Sequence, residues 1–188
     1  DPAFRDLVLA VDPDTGEIIS RYFIIPRNTA DLLKRRELIE AVTRAGKTTV
    51  PLVKEIGTDS IFALTVVTAD LGAAGAAYHA RVRRFYEHVR DGDLTLAVAQ
   101  TDVKGDRGLR PHKQPNPDVY LRVVDERKDG IVVRGAKAHT TNAVYADEMV
   151  VLPTRAMGPE DKAYAVAFAT DRVDRARFTP LVVALEAP

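Results

Sequence analysis

The spacing of apolar residues changes period once along this chain, near Gly92, and that change constrains the fold more than any other feature. From about Thr29 to Arg90 the pattern is helical. Asn28 or Thr29 can cap a first helix, whose apolar positions Leu32, Leu33, Leu38, Ile39 and Val42 recur at helical spacing, and Gly46 stands where a C-terminal glycine belongs. A second helix is expected from Leu52 to about Asp70. A third is expected from about Ala73 to Arg90, with Val82, Phe85, Tyr86 and Val89 on one face. The small residues Gly72 to Ala77 suit either close helix contact or a flexible linker. After Gly92 the texture turns to short β-type runs: Leu94 to Ala99, Val119 to Val124, Ile131 to Val133, Glu148 to Leu152 and Ala163 to Ala169. In the second of these, Tyr120, Arg122 and Val124 would share a face. Asp129-Gly130 marks a hairpin turn. The expected class is α+β: an N-terminal helical segment (1–92), an antiparallel β-barrel or sandwich (93–178) and a tail (179–188).

The 188 residues carry 27 basic and 27 acidic side chains, so there is no basic surplus to draw a nucleic acid or an anionic membrane. No apolar run approaches membrane-spanning length. The chain contains no cysteine, which excludes disulfides, thiolate nucleophiles and Cys-ligated metal clusters within it and fits a reducing cytoplasm. The start, Asp1-Pro2-Ala3-Phe4-Arg5-Asp6, lacks the features of a secretion signal, and beginning on Asp suggests a missing N-terminal piece. No metal site is expected. His79 and His88 lie nine residues apart on one helix, on opposite faces. His112, in the long polar loop from Asp102 to Pro117, is expected to be solvated.

Two segments could carry chemistry. The first, Gln100-Thr101-Asp102-Val103-Lys104-Gly105-Asp106-Arg107-Gly108, follows an apolar strand and gathers donors, acceptors and two glycines. Such groups match the polar edge of a flavin, and the cations suit its pyrophosphate; a solvated turn with a local Asp–Lys or Asp–Arg pair fits equally. Neither the dinucleotide fingerprint nor the phosphate-loop motif occurs. The second runs from the Asp129-Gly130 turn through Gly135-Ala136-Lys137-Ala138-His139 to Thr140-Thr141-Asn142. Gly135 permits a bend or a close backbone approach. On its own, this segment also fits an ordinary strand with a polar turn.

Taken together, T-D-x-K-G-D-R-G followed about two dozen residues later by D-G-I-V-V-x-G-A-K-x-H-x-T resembles the middle β-domain of the 4-hydroxyphenylacetate 3-hydroxylase / 4-hydroxybutyryl-CoA dehydratase flavoprotein superfamily. Pro117-Asp118-Val119-Tyr120 and Tyr164 to Ala169 extend the resemblance, which runs from about Pro2 to Asp171 and touches the acyl-CoA dehydrogenases more distantly. It implies an acyl-CoA dehydrogenase-like fold, with FAD held between the β-domain and a C-terminal four-helix bundle that this chain lacks. By position the flavin contacts fall on Gln100, Thr101, Asp102, Lys104, Gly105, Asp106, Arg107 and Thr141, and His139 could approach the substrate.

The sequence also departs from both branches. Two of the dehydratase's three cluster cysteines should fall at Pro51 and Glu55, so no iron–sulfur cluster is expected. The Arg, Tyr and His that surround the phenol in the hydroxylases find no match in Lys54 to Ser60 or at Val98. Glu55 is then a surface helix carboxylate, or a general base. The expected function is the flavin-holding part of a reduced-flavin monooxygenase acting on an aromatic or related small molecule, served by a flavin reductase. The alternatives are a cluster-free FAD-dependent acyl-CoA dehydratase or isomerase, and a non-catalytic docking subunit. The missing bundle could sit on a second chain, in a homo- or hetero-oligomer.

Overall fold

A computed structural model describes residues 2–47, 54–103, 105–171 and 183–184. A short helix α1 (Pro2–Val8) leads into an antiparallel pair, β1 (Leu9–Val11) and β2 (Ile18–Ser20), which the helical period further along gave no reason to expect. Three long helices follow: α2 (Thr29–Gly46), α3 (Glu55–Asp70) and α4 (Gly72–Asp91). Asn28 is the cap of α2, its Oδ1 accepting from Asp31 N at 3.1 Å. At the other end Lys47, not Gly46, takes the left-handed conformation, at φ 50°. The residues Gly72 to Ala77 are the start of α4 and not a linker.

The remaining strands are β3 (Leu96–Ala99), β4 (Arg122–Arg127), β5 (Gly130–Arg134), β6 (Glu148–Val151), β7 (Val166–Asp171) and β8 (Val183–Ala184). They form a four-stranded sheet, β3-β6-β7-β8, and a separate hairpin, β4-β5. The described strands close no barrel, and β3 pairs with β6 in parallel. The all-antiparallel barrel or sandwich expected from the short runs is thus replaced by mixed, small sheets. The parallel pair has a simple origin: the long polar loop and the hairpin intervene between β3 and β6, a crossover long enough to return the chain in the same direction. Arg127 pairs with Gly130 across the Lys128-Asp129 turn, as the Asp-Gly signal implied. Between Val123 and Asp125 the register slips, so Val124 points to solvent while Tyr120 is buried before the strand begins.

One core crosses the expected 92/93 boundary. Phe23, Ile61, Val82 and Val89 from the helical part pack with Leu96 and Val150 from the sheet. The contact is close enough to require glycine: a Cβ on Gly57 of α3 would stand 2.4 Å from Leu96 Cβ and 2.8 Å from its carbonyl oxygen. Tyr86 OH donates to Phe23 O at 2.7 Å, and the buried pair Arg90–Asp12 (3.1 Å) ties α4 to the β1–β2 turn. No helix among the described residues is long and apolar enough to cross a membrane.

The long loop is ordered by a carboxylate that the sequence did not single out. Asp161, fully buried in the 3-10 segment Pro159–Tyr164, accepts from Arg110 Nε (2.9 Å) and Nη2, from His112 N (3.2 Å) and from Gly158 N (3.1 Å). His112 Nδ1 sits 2.7 Å from Asp161 Oδ1, and its Nε2 lies 3.1 Å from Glu160. His112 is therefore a half-buried structural pin, not the solvated residue expected. Burial pushes the Asp161 carboxyl up, but donors from His112, Gly158 and Arg110 outweigh it and hold the group well below the usual carboxylate range. A depressed folded value means stability that is fully present above about pH 4, the unfolded value, and is lost progressively below it as pH falls towards and through the folded value. Asp161→Asn should cost about 3 kcal/mol in urea unfolding at pH 7, and the gap between variant and wild type should shrink as the pH drops below about 4.

Candidate functional site

Strand β3 ends at Ala99, and the polar loop begins at Gln100 beside the segment that leaves β5. Thr101 O accepts from Ala138 N at 2.8 Å and Val103 N donates to Ala136 O at 3.4 Å, with Asp102 and Lys137 forming an antiparallel bridge. The two chemistry-bearing segments are thus brought into register. A buried ion pair fastens them: Lys137 Nζ lies 2.8 Å from Asp102 Oδ1, with both side chains less than a tenth exposed. The same ammonium donates to Gln100 O (3.0 Å) and Leu152 O (2.8 Å), so its three donors meet three acceptors. Asp102 Oδ1 also accepts from Leu121 N at 3.0 Å, which adds the start of β4 to the junction. Burial lowers the Lys137 pKa, and the Asp102 carboxylate opposes that shift.

Gly135 lets the chain reach this position. Its φ of 132° is open to glycine alone, and a Cβ there would stand 2.5 Å from Leu121 Cα. The close backbone approach expected at Gly135 is what the structure has.

The predicted residues fall into two groups around the junction. Gln100, Thr101 and Asp102 lie at the bridge. Asp102 turns its carboxylate inward to Lys137, while Gln100 is exposed and Thr101 half-buried. Gly105, Asp106 and Arg107 belong to a second cluster held by Gln114. Gln114 Oε1 accepts from Asp106 N (3.0 Å), Gln114 Nε2 donates to Asp106 O (2.7 Å), and a Cβ at Gly105 would collide with Gln114 Oε1. Asp106 Oδ1 accepts from Gly108 N at 2.8 Å, and Arg107 is exposed. Lys104 lies outside the described residues, as does Pro51.

On the other segment, His139 and Thr141 are both exposed. His139 (φ 55°) and Asn142 (φ 69°) hold left-handed conformations on either side of Thr140-Thr141. Asn and His are among the non-glycine residues that take this conformation most often, and the pair turns the chain sharply around Thr140-Thr141. Asn142 O anchors the exit by accepting from Tyr145 N and Ala146 N, both at 3.0 Å. Exposed His139 and Thr141 thus follow directly on the bridged segment, and exposed Arg107 lies on the loop that continues from Asp102. The hydroxyl, amide and guanidinium groups present fit the polar ring edge and anionic pyrophosphate of a flavin dinucleotide.

The family model for the 4-hydroxyphenylacetate 3-hydroxylase N-terminal region matches residues 1–173. The chain belongs to this family. Among its relatives, 4-hydroxybutyryl-CoA dehydratase/vinylacetyl-CoA-Δ-isomerase of Clostridium aminobutyricum is 37% identical over 170 residues, covering 90% of this chain and 34% of the relative. The oxygenase component of 4-hydroxyphenylacetate 3-monooxygenase from a Geobacillus species is 28% identical, covering 89% of this chain and 38% of the relative. Two solved structures are similar in fold. An oxygen-tolerant archaeal 4-hydroxybutyryl-CoA dehydratase from N. maritimus has a TM-score of 0.82 at 28% identity, covering 89% of this chain and 33% of that one. The FAD complex of a 4-hydroxyphenylacetate 3-monooxygenase oxygenase component has a TM-score of 0.77 at 26% identity, covering 92% and 34%. This member of the 4-hydroxyphenylacetate 3-hydroxylase N-terminal family therefore spans about a third of the length of the relatives it matches.

Four features of the site region escaped the sequence reading. Lys137 was visible only as part of a motif, and its role depends on a partner 35 positions away. Gln114 and Asp161 sit outside any recognisable pattern. Glu55, expected at the surface, is buried: its Oε1 lies 3.4 Å from Tyr22 OH, and burial followed by the Glu55 charge pushes that phenol up to about 12. No group of three or more metal-binding side chains occurs among the described residues. His79 Nδ1 is instead 3.1 Å from Thr68 Oγ1, and His88 Nε2 is 2.7 Å from Glu148.

Lys137→Met should cost about 3–5 kcal/mol in urea unfolding, because it leaves the Asp102 carboxylate buried without its cation. Adding Asp102→Asn to that variant should recover part of the loss, and the double-mutant cycle measures the coupling. Strict additivity would mean that the pair does not hold the junction.

Proposed function

We propose that this chain supplies the flavin-facing portion of an FAD-dependent oxidoreductase, most specifically a reduced-flavin monooxygenase acting on an aromatic or related small molecule. The observation that carries this reading is the bridge of Thr101 and Asp102 to Lys137 and Ala138, which joins the two segments whose chemistry suits a flavin. In this assignment Thr141 donates a hydrogen bond at the ring's polar edge, while Gln100 and Thr101 line its pyrimidine side. Lys104 and Arg107 face the phosphates, with Gly105 and Asp106 shaping the loop. Asp102 acts from beneath, by fixing the bridge, and His139 faces the substrate side. Reduced flavin, delivered by a separate reductase, would supply the oxygen chemistry; the protein's part is to orient the ring and keep water away. Because Thr141 and His139 are exposed, that exclusion calls for a further helical wall, on the same polypeptide or a second chain, in a homo- or hetero-oligomer.

A second reading has its own support. The dehydratase of Clostridium aminobutyricum is 37% identical to this chain, against 28% for the Geobacillus oxygenase component. A cluster-free FAD-dependent acyl-CoA dehydratase or isomerase would fit that ordering. The chain offers no thiolate to a cluster of the kind the resemblance implies for that branch, since it has no cysteine. A rise in melting temperature with a crotonyl-type CoA ester, and none with phenols, would favour this reading over hydroxylation.

Titration of FAD into the chain, purified with the polypeptide that completes the helical wall, should show micromolar binding in the oxidised or reduced state. Thr141→Val should weaken it about tenfold, the loss of one hydrogen bond to the ring, without changing the urea midpoint. Absence of micromolar binding in either redox state would remove the flavin assignment.

A further inference from the structure

We propose that His112 is a proton-operated clasp: its protonation closes the long polar loop onto the Pro159–Tyr164 segment and tightens the flavin-facing part of that loop. The effect on flavin rests on the reading above; the clasp itself does not. The observation that carries it is one ring held between two carboxylates. His112 Nδ1 lies 2.7 Å from Asp161 Oδ1, and Nε2 lies 3.1 Å from Glu160 Oε2. A neutral imidazole has one N–H and one lone pair, so it can serve only one of these acceptors. With the N–H on Asp161, Nε2 becomes a lone pair facing a carboxylate. That nitrogen is buried and has no hydrogen-bond partner, a costly state for a polar atom. The imidazolium removes the conflict, because both nitrogens then carry protons and the ring's charge faces Asp161 and Glu160 together.

The surrounding charges leave the titration to His112. Burial raises the Asp161 carboxyl, but donors from His112, Gly158 and Arg110 keep it well below the usual range, so it stays ionised near neutral pH. Arg110 is committed to Asp161 (2.9 Å) and to Ala156 O (3.1 Å). Lys113 and Lys162, the remaining cations of the two segments, are exposed. Pro117–Val119 also packs on the His112 segment, and its Asp118 is paired with Arg122 at 3.0 Å. Glu160, 77% exposed, is the member free to swing, and a cavity of about 370 Å³ bordered by it, His112 and Lys113 gives it room. The clasp reaches the site through Gln114, two residues on. Gln114 Oε1 holds Asp106 N at 3.0 Å, between Gly105 and Arg107. Closing the loop at His112 therefore restrains the residues assigned to the flavin's phosphate end. Histidine changes charge between about pH 5 and 8, so the loop is held on the acid side of that window and released as pH rises through it.

The test is amide hydrogen exchange of the 188-residue chain, followed by NMR at about pH 6 and about pH 8. Protection of the Asp106 and Lys113 amides, corrected for intrinsic exchange, should fall about threefold over that interval, the loss of one partly exposed ion pair. The ring-nitrogen shifts of His112 should be those of an imidazolium at the lower pH. Glu160→Gln should abolish the fall, since its amide can donate to the unprotonated nitrogen, and His112→Gln should abolish it too. A flat wild-type profile, a ring already neutral at the lower pH, or an undiminished fall in Glu160→Gln overturns the proposal. Should His112→Gln not fold, Glu160→Gln decides alone, because its side chain is exposed. FAD affinity, measured on the chain purified with the polypeptide that completes the helical wall, should weaken about threefold over the same interval. A constant affinity beside a pH-sensitive loop overturns the link to the site. Loop protection that follows pH in a complex that binds no FAD would remove the flavin reading and leave the clasp standing.

Discussion

A buried ammonium ion is tolerable only when every N–H has an acceptor, and that requirement at Lys137 sets the geometry on which the candidate site depends. Its acceptors, Asp102 Oδ1, Gln100 O and Leu152 O, come from the loop after β3 and from the end of β6. Because β3 and β6 are parallel, both strands deliver their C-terminal ends to the same edge of the sheet, where one side chain can span them. Lys137 reaches that edge because Gly135 lets its segment lie against Leu121 without a Cβ. A parallel pair, a glycine and a lysine are thus one device.

The local elements were legible where local forces decide them. The Asn28 cap, the α4 span, the C-terminal end of α3 and the turn before Gly130 follow from side-chain chemistry within a few residues, and the structure has all of them, while Leu52, the expected start of α3, lies outside the described residues. The sheet was not legible, since pairing β3 with β6 joins residues about fifty positions apart and leaves no periodic trace. The slip at Val124 belongs to the same class: alternation implied a common face for Tyr120, Arg122 and Val124, and the bulge removed it. His112 is the clearest single case. A histidine in a polar loop reads as solvated until Asp161, 49 positions on, is seen to fold beneath it.

For the candidate site, the sequence identified segments better than roles. Gln100 to Arg107 and the turn at Thr141 were named for donors and acceptors that suit a flavin and for the resemblance, and the structure joins Thr101–Val103 of the first segment to Ala136–Ala138 of the second. Yet Asp102, chosen as a contact, has its carboxylate turned away from solvent into the ion pair. Residue type alone cannot distinguish a carboxylate that faces a ligand from one that fixes the loop presenting it; burial and partners can. Resemblance carried the cofactor, which neither periodicity nor charge would have suggested.

The distribution of satisfied and unsatisfied surface then bears on what the chain is for. Its interior ionic groups are matched at Asp161, Lys137, Arg90 and Arg35, while Glu148 Oε2 is buried without a hydrogen-bond partner. Against that background the turn from His139 to Asn142 stands out, with left-handed backbone at both ends and His139 and Thr141 exposed. Flavin chemistry needs a ring shielded from water on more than one side, and one polar turn open to solvent cannot provide that.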